Sequence, residues 1–219
     1  MTDRAFDAIF FDFGGVFIDS PFAVASLAAE RLGMEPALLL GTLFGPYDTD
    51  TDHPWHRLER GELSFELARE EIRELFRVGA ELDLDPIAVL ADLASDGVTH
   101  VRDGVVELVR DARADGLRTG IITNNIAEFG GYWRNIIPLD ELFDDVVDSS
   151  EVKMRKPGAE IYRLACSRLD VDPTRSVFVD DFEGNVIGAR SVGLTAVCCG
   201  YARDTTDAAV VELRELLGL

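Results

Sequence analysis

Asp12 closes the apolar run Ala8-Ile9-Phe10-Phe11 and is followed at once by Phe13-Gly14-Gly15-Val16. A second apolar run, Val177-Phe178-Val179, ends the same way in Asp180-Asp181. Runs of this kind read as buried strands, and the glycines after the first let the chain turn sharply beneath an exposed carboxylate. If both strands belong to one parallel sheet, their carboxyl ends share an edge, which is where ligands bind in open α/β folds. Three clustered carboxylates repel one another until a cation neutralises them, and carboxylate with carbonyl oxygens suits Mg²⁺. These residues point to metal-assisted chemistry at a sheet edge.

The elements that must position them alternate in a recognisable way. Before Asp12 the pattern is strand; from roughly Ile18 to Gly97 no strand is evident. Ser20-Pro21 predicts a helix start, with Ser as N-cap and Pro at the first helical position, and Gly33 predicts its end. Residues 45–54 read as a loop. Ser64 then caps a helix to about Phe76, with Leu67, Ala68, Ile72, Leu75 and Phe76 as its apolar positions, and Asp85-Pro86 begins another that ends near Gly97. From Val101 onward helix and strand alternate: a helix through Val105, Leu108, Val109 and Ala112, then strands at 117–123, 146–147, 176–179 and 195–198 with helices between and after them. That order implies right-handed crossovers and a parallel sheet covered on both faces. The expected fold is α/β: a Rossmann-like core from residues 1–18 and 98–219, with an α-helical cap, residues 19–97, inserted after the first strand.

Composition bounds the partners. With 219 residues and 47% apolar content the chain can bury a sizeable core. Its net charge of -20, from 41 acidic against 21 basic residues, would repel a phosphate backbone over most of the surface, so nucleic acid is excluded as a partner. Lys153 and Lys156 are the only lysines. Cys166, Cys198 and Cys199 have no metal-ligand spacing and read as buried thiols in a reducing compartment. No basic segment precedes a long apolar stretch and no run approaches a membrane span, so a soluble, cytoplasmic protein is expected. The sequence leaves monomer and homodimer equally open.

Four strand ends now carry polar groups: Asp12, Thr123, the loop holding Lys156, and Asp180-Asp181. Their order and chemistry resemble the four motifs of the haloacid dehalogenase superfamily, over essentially the whole chain. The resemblance implies Asp12 as nucleophile and metal ligand, the Gly14 carbonyl as a further ligand, and Asp180 and Asp181 as acidic ligands of Mg²⁺. It likewise implies that Thr123 and the Asn124 amide bind phosphoryl oxygens, while Lys156 neutralises nucleophile and transferring group. Lys153 competes for the lysine role, and the family's Lys-Pro pattern favours Lys156. Asn185 reads either as orienting a metal ligand or as capping a helix. The segments Phe11-Asp12-Phe13-Gly14-Gly15-Val16, Trp55-His56-Arg57-Leu58-Glu59-Arg60-Gly61-Glu62-Leu63-Ser64 and Val179-Asp180-Asp181-Phe182-Glu183-Gly184-Asn185 look like the branch containing the amino-terminal phosphatase domain of soluble epoxide hydrolase and bacterial sugar-1-phosphate phosphatases.

Gly14 departs from the pattern. Most phosphatases of the family carry a second Asp there, which protonates the leaving oxygen; such an acid is worth about 10² to 10⁴-fold. The implied activity is hydrolysis of small phosphorylated metabolites through an aspartyl-phosphate. Two other readings stand beside it: a 2-haloacid dehalogenase, which wants no metal, and a non-catalytic relative that binds a phosphorylated ligand. A phosphonate hydrolase using a cap lysine is excluded, because no lysine occurs between Met1 and Val152. His53 and His56 in the cap, and His100 at its return, read as surface or satisfied residues unless they face the site.

Overall fold

The computed structural model describes residues 4–79, 85, 87–88 and 100–219. Five strands form one parallel sheet: β1 (Ala8–Phe11), β2 (Arg118–Thr123), β3 (Asp145–Asp148), β4 (Ser176–Asp180) and β5 (Thr195–Cys198), in the order β3-β2-β1-β4-β5. The chain builds outward from β1 to β2 and β3, then returns to lay β4 against the other side of β1. The reversal of strand order therefore falls between β1 and β4, the position at which open α/β sheets make their ligand crevice.

Both faces of the sheet are covered, which is why its strands are continuous apolar runs rather than alternating ones. Ile9, Phe11, Ile121, Val177 and Val179 face one way, toward the helices Asp103–Ala114 and Arg203–Leu217. Ala8, Phe10, Ile122 and Phe178 face the other, toward Ala159–Leu169 and Glu183–Ser191. β1 and β4, whose ends carry the carboxylates, are buried along their whole length, and each buried Ile, Phe or Val there contributes about 1.5–3 kcal/mol of transfer free energy.

Between β1 and the helix Asp103–Ala114 the described helices are Pro21–Leu32, Pro36–Phe44, Pro54–Glu59 and Phe65–Gly79. Ser20 Oγ accepts the Phe22 N–H and Gly33 closes the first helix in a left-handed conformation, as its flanking residues predict. Two of these helices, Pro36–Phe44 and Pro54–Glu59, lie where the sequence reading has none; each opens on a proline at its first position. In Phe65–Gly79 the buried stripe is Ala68, Ile72 and Phe76, spaced four apart, while Leu67 and Leu75 are exposed rather than part of the apolar face. The helix expected from Asp85 to Gly97 lies largely outside the described residues, as does the expected boundary at 97. Cys166 and Cys199 are buried, but Cys198, at the end of β5, is exposed, contrary to expectation. Among the described residues no helix is long and apolar enough to cross a membrane.

Candidate active site

Because β1 is the central strand, its end is flanked by the ends of β2 and β4. The pairings Phe11–Ile121 and Phe11–Val179 put Asp12 level with Ile122, one residue before the end of β2, and with Asp180, the last residue of β4. The Asp12 N–H donates to the Val179 carbonyl at 2.8 Å, extending the ladder by one bond. Asp12, Asp180 and Asp181 each bring a carboxylate oxygen within 4.8 Å of the others. Lys156, fully buried, enters from the loop after β3. Its Nζ lies 2.8 Å from Asp12 Oδ1 and 2.7 Å from Asp180 Oδ2.

One ammonium against three buried carboxylates leaves a surplus of negative charge. Burial pushes the Asp12 carboxyl up to about 7, with Asp180 adding to the effect and Lys156 opposing it. Burial, Asp180 and Asp12 together push Asp181 well above the usual carboxylate range. Burial also works against the Lys156 charge, but Asp12 and Asp180 outweigh it and hold the ammonium more firmly protonated than a free lysine. Asp181 Oδ2 is buried without a hydrogen-bond partner. Hard oxygen donors, surplus negative charge and an orphaned carboxylate oxygen are the complement of a divalent cation, so the residues fit Mg²⁺.

The two glycines after Asp12 behave differently. Gly15 has φ +77°, and a Cβ there would fall 2.0 Å from Asp181 Oδ2, so only glycine lets the turn press against that carboxylate. At Gly14 a Cβ would meet only Pro21 Cδ, at 3.5 Å, an ordinary contact. Nothing in the packing requires glycine there.

Thr123 is buried at the end of β2, paired in register with Asp148 of β3. Asn124 follows it, and its side chain clasps the peptide of the lysine. Asn124 Oδ1 accepts the Lys156 N–H at 2.8 Å and Nδ2 donates to the Lys156 carbonyl at 3.0 Å. Asn185 Nδ2 donates to both oxygens of Asp180, at 3.0 and 3.1 Å, which favours the orienting role over the capping one. Asp180 Oδ1 also accepts the Phe182 N–H, so this carboxylate ties down the start of the following helix as well. Lys153 turns elsewhere, donating to the Gly61 carbonyl at 2.7 Å. The histidines' bonds stay within the helical segment: His53 Nδ1 accepts the Trp55 N–H and His56 Nδ1 accepts the Thr51 N–H. His100 is exposed.

A buried group that the sequence reading missed lies between the helical segment and the core. Glu59 accepts from Tyr47 Oη at 2.6 Å and Trp55 Nε1 at 2.8 Å through one oxygen, and from Arg155 Nε at 2.8 Å through the other. The Arg155 guanidinium sits 4.6 Å from the Tyr47 ring centroid, and Asn124 Nδ2 donates to Tyr47 Oη at 3.3 Å. The available signals were slight: an arginine next to Lys156, and a glutamate inside a segment noted only for its likeness to relatives.

Strand-end carboxylates lie at the switch point of a parallel sheet, with a threonine at the end of the neighbouring strand and a lysine from the loop after β3 beside them. Residues 6–193 match the family described as haloacid dehalogenase-like hydrolase, and the chain belongs to that family of enzymes. It is 32% identical to mouse acyl-CoA dehydrogenase family member 10 over 98% of this chain, and spans 19% of that protein's length. It is 26% identical to the sesquiterpene phosphatase astK of Aspergillus oryzae, covering 97% of each. To mouse bifunctional epoxide hydrolase 2 it is 25% identical over 92% of this chain, spanning 38% of that protein. Two solved structures share the fold. One is a family enzyme from Bacteroides thetaiotaomicron in complex with magnesium and inorganic phosphate, with TM-score 0.62, 20% identity, and coverage of 91% of this chain and 96% of that one. The other is a dehalogenase with an intermediate complex, with TM-score 0.67, 22% identity, and 99% of each chain covered.

Proposed function

We propose that the protein is a Mg²⁺-dependent phosphatase of small phosphorylated metabolites, and that residues 19–97 form a cap over its site. The observation that carries this reading is the cluster of Asp12, Asp180 and Asp181 with only one compensating charge, Lys156. A dehalogenase attacks carbon and gains nothing from a surplus of carboxylates; a phosphatase needs the cation that they attract. Asp12 attacks phosphorus to form an aspartyl-phosphate and release the alcohol, and water then cleaves that acyl phosphate to return Asp12 and free phosphate. The Thr123 hydroxyl and the Asn124 N–H donate to the phosphoryl oxygens, and Lys156 offsets the charge of nucleophile and transferring group. Asp12, the Gly14 carbonyl, Asp180 and Asp181 would hold Mg²⁺, which would supply the positive charge that lets an anionic nucleophile meet an anionic phosphoryl group. With no acid at Gly14, the departing oxygen leaves as a stabilised anion or takes its proton from water or from a cap residue such as His53 or Asp48.

The fungal relative described as a sesquiterpene phosphatase supports the phosphatase class and a small organic leaving group. Three free cysteines support a reducing compartment, so we place the protein in the cytoplasm. The test is a panel of phosphorylated metabolites and 4-nitrophenyl phosphate, run beside 2-chloropropionate. Phosphate release should require Mg²⁺ and stop with excess EDTA. Chelator-insensitive halide release, with no phosphate release, would overturn the assignment.

A further inference from the structure

From the buried contacts at the base of the helical segment, we infer that Glu59 and Tyr47 are positioning residues for Lys156, so that the cap sets the catalytic lysine as well as covering the site. This rests on the reading of Lys156 as catalytic. Two paths lead from Glu59 to it. Along the first, Glu59 holds Arg155, the residue immediately before Lys156, through a 2.8 Å bond between groups that are both almost fully buried. Along the second, Tyr47 Oη donates to Glu59 and accepts from Asn124 Nδ2, and Asn124 clasps the Lys156 peptide from both sides. The lysine's main chain is thus fixed at two points by one carboxylate that belongs to the cap.

The chemistry of the group favours a fixed geometry. Burial and the neighbouring Glu59 keep the Tyr47 phenol protonated far above its ordinary range, so its hydroxyl always has a proton to give to Glu59 and lone pairs left for Asn124. The Arg155 guanidinium lies over the Tyr47 ring and reaches the Thr49 carbonyl at 3.3 Å, leaving it little freedom to turn. A buried charge stripped of its partner is strongly disfavoured, so lifting the cap away from Arg155 is opposed until something replaces Glu59. Lys153 provides an internal contrast. It also ties the loop to the cap, at the Gly61 carbonyl, but touches neither Asn124 nor Lys156.

The experiment compares Tyr47→Phe, Glu59→Gln, the double variant and Lys153→Met, with two readouts. In steady-state hydrolysis of 4-nitrophenyl phosphate at saturating Mg²⁺, Tyr47→Phe and Glu59→Gln should each lower kcat by about tenfold with KM within about twofold. The double variant should lose more kcat than either single variant, because Tyr47→Phe removes the Asn124 path that Glu59→Gln leaves standing, and Lys153→Met should keep the wild-type kcat. In hydrogen exchange, the Lys156 amide, whose proton goes to Asn124 Oδ1, should exchange at least about tenfold faster in Tyr47→Phe while core amides of β1 and β4 stay protected. The exchange arm stands even if wild-type protein hydrolyses no phosphate, which separates failure of this inference from failure of the phosphatase reading. Unchanged Lys156 exchange in Tyr47→Phe overturns the inference; so does an equal loss of kcat in Lys153→Met, since cap attachment alone would then explain the effect. Should Glu59→Gln fail to fold, Tyr47→Phe, which deletes a single oxygen, decides the matter.

Discussion

The carboxyl edge of the sheet and the interior of the helical segment after β1 are both buried and both hold ionisable groups, yet a proton affects them in opposite ways. At the edge, burial raises the Asp12 carboxyl to about 7 from an ordinary 3.8. The folded chain there keeps a proton that the unfolded chain gives up, so stability falls as pH rises from about 4 to 7. In the cap, burial, Arg155 and His53 lower His56 to about 3 from 6.5. Unfolded, that ring gains a proton below 6.5 while the folded ring refuses one, so stability falls as pH drops. The edge is a region under electrostatic stress in need of a cation; in the helical segment the His56 ring is held neutral, and the buried charges of Glu59 and Arg155 are paired. Chemistry and scaffolding are thereby assigned to different parts of one chain.

Asp12→Asn breaks the comparison most severely. Activity should fall roughly a thousandfold or more, because an amide does not attack phosphorus. Melting temperature without metal should stay the same or rise, since one of three crowded carboxylates is gone and Lys156 keeps Asp180. A variant that loses activity together with several degrees of stability would show that the edge is held by Asp12 rather than stressed by it.

An intermediate effect is expected from Gly14→Asp. The position has room for a side chain, so the variant should fold. As a fourth carboxylate it should lower the melting temperature of metal-free protein and have that loss reversed by Mg²⁺. Wild-type rates should depend steeply on leaving-group pKa, with aryl phosphates cleaved faster than primary alkyl ones. The variant should flatten that dependence, helping alkyl phosphates by on the order of tenfold or more. Measured with chemistry limiting, a wild-type series without any trend would mean that another group already serves as the acid.

The smallest effect lies in the cap. His56 Nδ1 accepts the Thr51 N–H at 3.0 Å, a bond that protonation would break. Between pH 6.5 and 5 wild-type protein should lose on the order of 1 kcal/mol from this ring, about 3 °C in melting temperature for a chain of this size. His56→Asn keeps an acceptor and removes the titration, so the difference in slope between the two proteins isolates the cap from the edge. Identical slopes would mean that the ring's burial has no energetic consequence.

Much of the edge was legible because its signals are local. The run Ala8-Ile9-Phe10-Phe11 ends in Asp12 in the sequence and in the sheet alike, and Ser20-Pro21 and Gly33 bound the first helix as they should. The contacts that fix the lysine were not legible. Glu59 meets Arg155 and Asn124 meets Tyr47 across long stretches of chain, and no periodicity marks a buried polar pair that only tertiary packing brings together. Pro36 and Pro54 open two further helices, but nine and six residues give too few repeats for a pattern to rise above its surroundings. The close approach of Gly15 to Asp181 joins two strands and is invisible to either alone.

The central place of β1 also bears on how the enzyme is made. β1 leaves the ribosome before both strands that hydrogen-bond to it, which begin only at Arg118 and Ser176. The helices Pro21–Leu32, Pro36–Phe44 and Phe65–Gly79 emerge in between and can form from local contacts. During translation Asp12 therefore waits at the end of an unpaired strand, and the acidic cluster comes into being only when β4 reaches it. A nascent chain halted before Ser176 should be helical, open to proteolysis around β1, and catalytically silent.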